Sequence, residues 1–385
     1  MLHPLQRSAA PSTGLDIEVS LEPLPSLQDL AKIWQNLEAR ADRSFFLSWT
    51  WIGTWLLSID CRPQLLIARS TGEVVGLGLL HAVSKTRHRI MPVWTAFLNQ
   101  TGDERQDVIT TEYNDILCDR RHSDAVRQAC LRFLIQHRTV GMGEVEELVL
   151  GGISGDLEDK ISMLGRPVQE RAAAGSAFVD LKKLRRRGLG LLDSLGGSTA
   201  KRIRRSQRLY QRHGDVELRR AEDIDEALLF FDKAGELHQA RWTARGFPGA
   251  FAYPFFTKFH RRLIQTAIPL GQVELVSLSV GQDPLGYLYN FLDRGRVHYY
   301  FSGFRFDDDN RLKPGLVCHT LCIDHHVAAG MDVYDFMGGD QRYKLELGRP
   351  GPQIMTLAMQ LPNWKLAAER PLKRLKQAID SVRSS

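Results

Sequence analysis

The 385-residue sequence predicts an α/β protein built as two related lobes. Two observations carry this expectation. The order strand, two helices, run of strands, helix, strand occurs twice along the chain, and one strongly basic segment separates the two occurrences. A third agrees: 43% hydrophobic and 25% charged residues suit a large buried core in a chain of this length.

In the first half, "DIEVSLEPL" alternates as a strand does. "SLQDLAKIWQNLEARA" then places Leu27, Leu30, Ile33, Trp34 and Leu37 at helical spacing behind a Ser26 cap. The aromatic helix "SWTWIGTWLLSI" follows, then the strands "QLLIARS", "VVGLGLLHAVS", "VWTAFLN" and "NDILC", a helix from Ser123 to His137, and the strand "VEELVLGGI". In the second half, "VELRR" opens as a strand before a long helix from Asp223 to Arg245 and another from Pro254 to Ile268. The strands "QVELVSLSV", "LGYLYNFL" and "VHYYFSGF" come next, then a helix from Pro314 to Ala329 and the strand "VYDFM".

Between the halves, residues 182–213 hold 11 Lys or Arg against the single acid Asp193, more than the whole chain's net charge of +6. Wound as a helix, "STAKRIRRSQRLYQRHG" gathers Lys201, Arg204, Arg205, Arg208 and Arg212 on one side, with Ile203 and Tyr210 opposite. Such a face is either a solvated surface or a contact for a polyanion.

No apolar run of about 18 residues marks a membrane span, and the first residues show no signal-peptide pattern. The five cysteines have no framework spacing and read as thiols. The expectation is a cytoplasmic protein.

Several segments carry chemistry. In "FRFDDDNRLKPGLVCHT" a helix begins at Pro314-Gly315 with Arg311 and Lys313 just before it; such a start is plain capping or an anion site. On that helix Cys318, Cys322 and His325 share a face, and His319 and His326 another. A metal reading is open, but the core reading is preferred, since buried cysteine behaves as a small hydrophobe. In "VHYYFSGF" a period of two separates Val297, Tyr299, Phe301 and Gly303 from His298, Tyr300 and Ser302. His238, Arg241 and Trp242 cluster at the end of the long helix, as core or as the rim of a cleft. "VYDFMGGDQRYKLELG" places two glycines, Asp340 and a Tyr343-Lys344 pair at a strand end, more polar groups than a buried strand end needs.

Taken together, five segments resemble the acetyltransferase family named for cellulose biosynthesis, of CelD/BcsL type, within the GCN5-related N-acetyltransferase (GNAT) superfamily. They are "KRIRRSQRLYQRHG", "ELHQARWTARGFPGAF", "YYFSGF", the "KPG" turn and "YDFMGGDQRYKLELG", in that order. The resemblance implies tandem GNAT-like lobes, each a mixed, mostly antiparallel sheet flanked by helices. The expected organisation is a disordered tail over 1–14, an N-terminal lobe over 15–180, a basic linker helix over 181–214, an acyltransferase lobe over 215–362 and a basic C-terminal helix over 363–385.

It further implies an acetyl-CoA or other acyl-CoA co-substrate held by Ser302, Gly303, Lys313, Pro314, Gly315 and Leu316, and no metal. Lys313 departs from the family pattern, which has serine before Pro-Gly. Asp340 or Asp335 is the expected base, Tyr300 the proton donor to the leaving thiolate, and strand-end N–H groups the oxyanion donors. His238, Arg241, Trp242, Tyr343 and Lys344 are expected at the substrate, Lys344 holding an anionic group of the acceptor. The implied reaction is acyl transfer to the amine of a sugar or small metabolite in exopolysaccharide or envelope assembly. The two-lobe plan also resembles Fem-type transferases, which use aminoacyl-tRNA. A nucleic-acid-binding module built on the basic helix is a third reading.

Overall fold

The computed structural model describes residues 16–363 and Leu366, apart from 89, 141, 142 and 163. The expected tail over 1–14 and, save for Asn363 and Leu366, the expected basic helix over 363–385 lie outside the described residues.

Strands in the first half are β1 (Glu18–Glu22), β2 (Gln64–Ser70), β3 (Glu73–Arg87), β4 (Met91–Leu98), β5 (Leu117–Cys118), β6 (Thr139–Val140), β7 (Gly143–Glu144), β8 (Glu147–Ser154), β9 (Val168–Ala174) and β10 (Ser176–Asp180). The second half adds β11 (Val216–Arg220), β12 (Val273–Val280), β13 (Asp283–Asp293), β14 (Arg296–Phe304), β15 (Val333–Gly338), β16 (Arg349–Pro350) and β17 (Ile354–Gln360). One sheet runs β1-β2-β3-β4-β8-β17-β9, with β5 beside β3; the other runs β11-β12-β13-β14-β15-β10-β16. Each is antiparallel except for one parallel pair, β4 with β8 and β14 with β15. The expected repeat is therefore present as two mixed sheets of matching order, flanked by helices.

Sheet membership does not follow the expected segments 15–180 and 215–362. Strand β10 enters the second sheet beside β15, and β17 returns to the first sheet between β8 and β9. The two lobes exchange a strand each. "VQERAAAGSAFVD" has too many charged and alanine positions for the alternation that would reveal β9 and β10 in the sequence.

The predicted helix caps form. Ser26 Oγ accepts the Asp29 amide at 3.1 Å, and Leu30, Trp34 and Leu37 turn inward with no exposure. The aromatic helix Trp49–Leu56 packs on helix Pro254–Ala267 across the lobe boundary: the Trp51 and Phe259 rings lie 4.8 Å apart, and Phe45 stacks on Phe291 at 4.5 Å. This shared aromatic core locks the lobes together. It presses the first-lobe loop over residues 107–113 against β14.

Candidate active site

Strands β14 and β15 pair only over Arg296–His298 and Val333–Asp335 before they part. Opposite β13 the register slips between Tyr299 and Phe301, leaving Tyr300 as an extra residue. The bulge cancels the alternation expected for this strand. Tyr300 and Phe301 both join the aromatic core, whereas Tyr299 and Phe304 face His319 of helix Pro314–Ala328 at ring distances of 4.5 and 5.7 Å.

A cleft of about 890 Å³ opens where the strands part. Ser302, Lys313, Pro314, Gly315 and Leu316 line one wall, and His238, Arg241 and Trp242 line another; the structure brings these expected residues together. The Lys313 amide donates to Ser206 Oγ at 2.8 Å, so a fully buried serine of the basic helix Gly197–Tyr210 fixes the turn that starts helix Pro314–Ala328. Trp242 Nε1 donates to His238 Nε2 at 2.8 Å, and burial pushes the His238 imidazole down to about 4, so it is neutral at pH 7. The Arg241 guanidinium lies 3.7 Å from the centre of the Phe306 ring.

Gly303 is not among the lining residues. It faces helix Ile224–Thr243, where a Cβ would stand 2.2 Å from the Ala234 carbonyl oxygen. Only glycine lets the helix approach that closely, so this position serves packing.

The two aspartates expected as base also fall elsewhere. Asp335 is buried behind β15, away from the cleft, and accepts from the Tyr113 hydroxyl at 3.1 Å, Arg296 at 3.0 Å and the Met337 amide at 2.8 Å. Asp340 is exposed and accepts the Gly175 amide at 2.9 Å, tying down the crossover between β9 and β10. Strand alternation turns Asp335 to the far face, and the two glycines carry Asp340 past the cleft.

Two carboxylates line the cleft, Asp307 and Glu112; the buried one is Glu112, from the first lobe. Its Oε2 accepts the Gly338 amide at 2.7 Å. Burial raises this carboxyl to about 7, against the lowering effects of the Gly338 amide and the Lys344 charge. Thr110 and Tyr113 on its own loop, and Met337 opposite, have left-handed backbones at φ 45, 49 and 58°. Such non-glycine strain concentrates at functional sites. The stretch "ITTEYND" has no motif, and no signal in the sequence announces Glu112.

Lys344 lies on the short helix Arg342–Leu347, 5% exposed, and its Nζ donates to the Gly338 carbonyl at 2.6 Å and the Met337 carbonyl at 3.4 Å. Burial lowers its pKa, partly offset by the Glu112 and Asp335 charges. Tyr343 stacks on His319 at 5.3 Å. The strand-end amides are already used: Met337 on Asp335, Gly338 on Glu112 and Gly339 on the Gly175 carbonyl. Tyr300 Oη donates to the Ile109 carbonyl and lies 3.1 Å from His260 Nε2. Its proton is engaged across the lobe boundary.

Cys318 and Cys322 are buried without exposure in the core. Among the described residues, the metal-compatible group is Glu274, Cys322 and His326, not the Cys318, Cys322 and His325 face read from helical spacing. Its Glu274 carboxylate is already engaged by His326 at 2.9 Å, Asn290 at 3.1 Å and Arg220 at 2.7 Å.

The chain segment that builds the cleft's second-lobe walls has known relatives. Residues 197–345 match the acetyltransferase (GNAT) domain family. Over those residues the chain is similar to GNAT-type acetyltransferase domains. No match to a curated protein was found. Among solved structures, FemX superposes with a TM-score of 0.57 at 11% identity, covering 93% of this chain and 99% of that one. A conserved protein of unknown function from Bacteroides thetaiotaomicron gives 0.53 at 11% identity, covering 90% and 100%. L-PGS from Bacillus licheniformis gives 0.50 at 11% identity, covering 92% and 97%. At such identities the likeness is one of fold, and it spans both lobes. Among the described residues, no helix is long and apolar enough to cross a membrane.

Proposed function

We propose that the protein transfers an acyl group from an acyl-CoA to a primary amine, with Glu112 of the first lobe as the base. The observation that carries this reading is the position of Glu112, a buried carboxyl raised to about 7 at the point where β14 and β15 part. A base poised near neutral pH suits proton removal from an amine.

The cleft fits the donor. The start of helix Pro314–Ala328, with Lys313 beside it and Arg241 across from it, suits the pyrophosphate, and the gap along Tyr299–Ser302 suits the pantetheine. The amine attacks the thioester carbon as Glu112 accepts its proton. The C–S bond then breaks, and the departing thiolate takes up a proton to leave as the thiol. With the strand-end amides engaged, the Lys344 ammonium, which lines the cleft, is the proposed donor for the oxyanion, beside the carbonyls it already holds. Tyr300 then acts as a tie between the lobes instead of the thiolate's proton donor. The resemblance to the cellulose-biosynthesis family supports an amino sugar or small amine in exopolysaccharide or envelope assembly as acceptor.

The Fem-type reading, with an aminoacyl-tRNA donor, has one observation in its favour: Lys201, Arg204, Arg205 and Arg208 are exposed on the helix whose Ser206 holds the Lys313 turn, and Arg212 is exposed just past its end. A calorimetric titration with acetyl-CoA and with tRNA separates the two. Acetyl-CoA binding that Lys313→Glu weakens by tenfold or more supports the acyl-CoA reading. Saturable tRNA binding without acetyl-CoA binding overturns it.

A further inference from the structure

Glu112 stands between two cavities. Beside the donor cleft, a second recess of about 330 Å³ reaches it from the first-lobe side, and Thr110, Glu112 and Gly338 line both. The recess is walled by the first sheet, including the two strands that the sequence did not reveal or that return from the C-terminal end: Ala172 of β9 lies directly opposite Thr356 of β17.

The two cavities differ in charge. Arg241, Arg245, Lys313, Arg342 and Lys344 line the donor cleft against the acids Asp307 and Glu112. The recess has no Lys or Arg among its described lining residues, and its charged groups are Asp107 and Glu112. Asp107 already accepts the Thr101 and Gly102 amides at 2.8 and 2.7 Å through its two oxygens, whereas Glu112 accepts the Gly338 amide through Oε2. The remaining polar groups, Gln100, Thr111 and Thr356, are neutral. The recess is also narrow by construction. At Gly152 the backbone is left-handed, φ 70°, and a Cβ would lie 1.9 Å from the Thr111 carbonyl oxygen, so that wall admits only glycine.

We propose that this recess is the acceptor's site, and that it takes a primary amine carried on a slender, uncharged, hydroxyl-bearing body. The inference rests on the acyl-transfer reading. An ammonium entering from this side meets the Glu112 carboxylate, and the neutral hydroxyl and amide groups pair with the acceptor's own hydroxyls. A phosphate or carboxylate on the acceptor would be desolvated beside two acids with no Lys or Arg among the described residues lining the recess, and the nearby Lys344 is already held by the Met337 and Gly338 carbonyls, which disfavours it. The anionic donor is favoured in the cationic cleft by the same logic, so the two substrates meet at the wall of Thr110, Glu112 and Gly338 that the cavities share.

The test uses the full chain with D-glucosamine and glucosamine 6-phosphate as probes. Their binding is read by ligand-observed NMR, and acetyl-CoA affinity by calorimetry in parallel. Wild type is expected to bind glucosamine at least tenfold more tightly than the phosphate. Ala172→Leu, at an exposed position, weakens glucosamine tenfold or more; Thr356→Lys reverses the order of the two probes; both keep acetyl-CoA affinity within twofold. Absence of glucosamine binding, or binding in both variants equal to wild type, overturns the inference while acetyl-CoA binding keeps the transferase reading intact. Loss of acetyl-CoA binding in wild type itself removes that reading and this one with it.

Discussion

Glu112 Oε2 and the Gly338 amide meet at 2.7 Å although 226 positions separate them in the chain. One belongs to a first-lobe loop and the other to the end of β15, so the proposed base and the strand beside the cleft come from different lobes. Residues 197–345 match a transferase domain, and on the proposed mechanism the other lobe supplies the carboxylate.

A base raised to about 7 gives a definite pH dependence. Glu112 accepts a proton only when ionised, so kcat/KM should rise with pH through a midpoint near 7. Glu112→Gln should abolish that limb and lower turnover by about two to four orders of magnitude. A wild-type-like pH profile in Glu112→Gln removes Glu112 from the reaction.

The same residue should cost stability. A carboxyl whose folded pKa lies above its unfolded value favours the folded state fully at pH below the unfolded value, and that contribution is lost as pH rises toward 7. The loss amounts to about 3 kcal/mol at pH 8. Glu112→Gln, which keeps an oxygen for the Gly338 amide, should melt above wild type at pH 8 and close to it at pH 4, as thermal denaturation at the two values will show.

Asp335 and Asp340 should separate from Glu112. Asp340→Asn leaves turnover within about threefold, since its contact is with the Gly175 backbone. Asp335→Ala removes a buried carboxylate from Arg296, Tyr113 and Met337 and should destabilise by about 3 to 5 kcal/mol in urea titration. A hundredfold loss of turnover in Asp340→Asn with unchanged acceptor KM would return it to the role of base.

Gly303→Ala tests the packing role of that glycine. The added methyl must displace the Ala234 carbonyl region, and the expected loss is roughly 1 to 3 kcal/mol in urea titration. Unchanged stability alongside a loss of acetyl-CoA affinity would place Gly303 at the donor after all.

By itself the sequence determined the repeat of elements, the basic helix, the helix start at Pro314-Gly315 and the clustering of His238, Arg241 and Trp242 at one helix end. Each is a local pattern: helical spacing, a cap, alternating strands or a run of charge, all set by residues within a few turns of one another. The tertiary structure alone decided the rest. The Tyr300 bulge reassigns the faces of β14 through its register with β13, and alternation along β15 turns Asp335 away from the cleft. The exchange of β10 and β17 and the arrival of Glu112 at Gly338 depend on a shared aromatic core that docks one lobe on the other. A lone glutamate in a loop has no periodicity to read. Its raised pKa comes from burial where the two lobes meet.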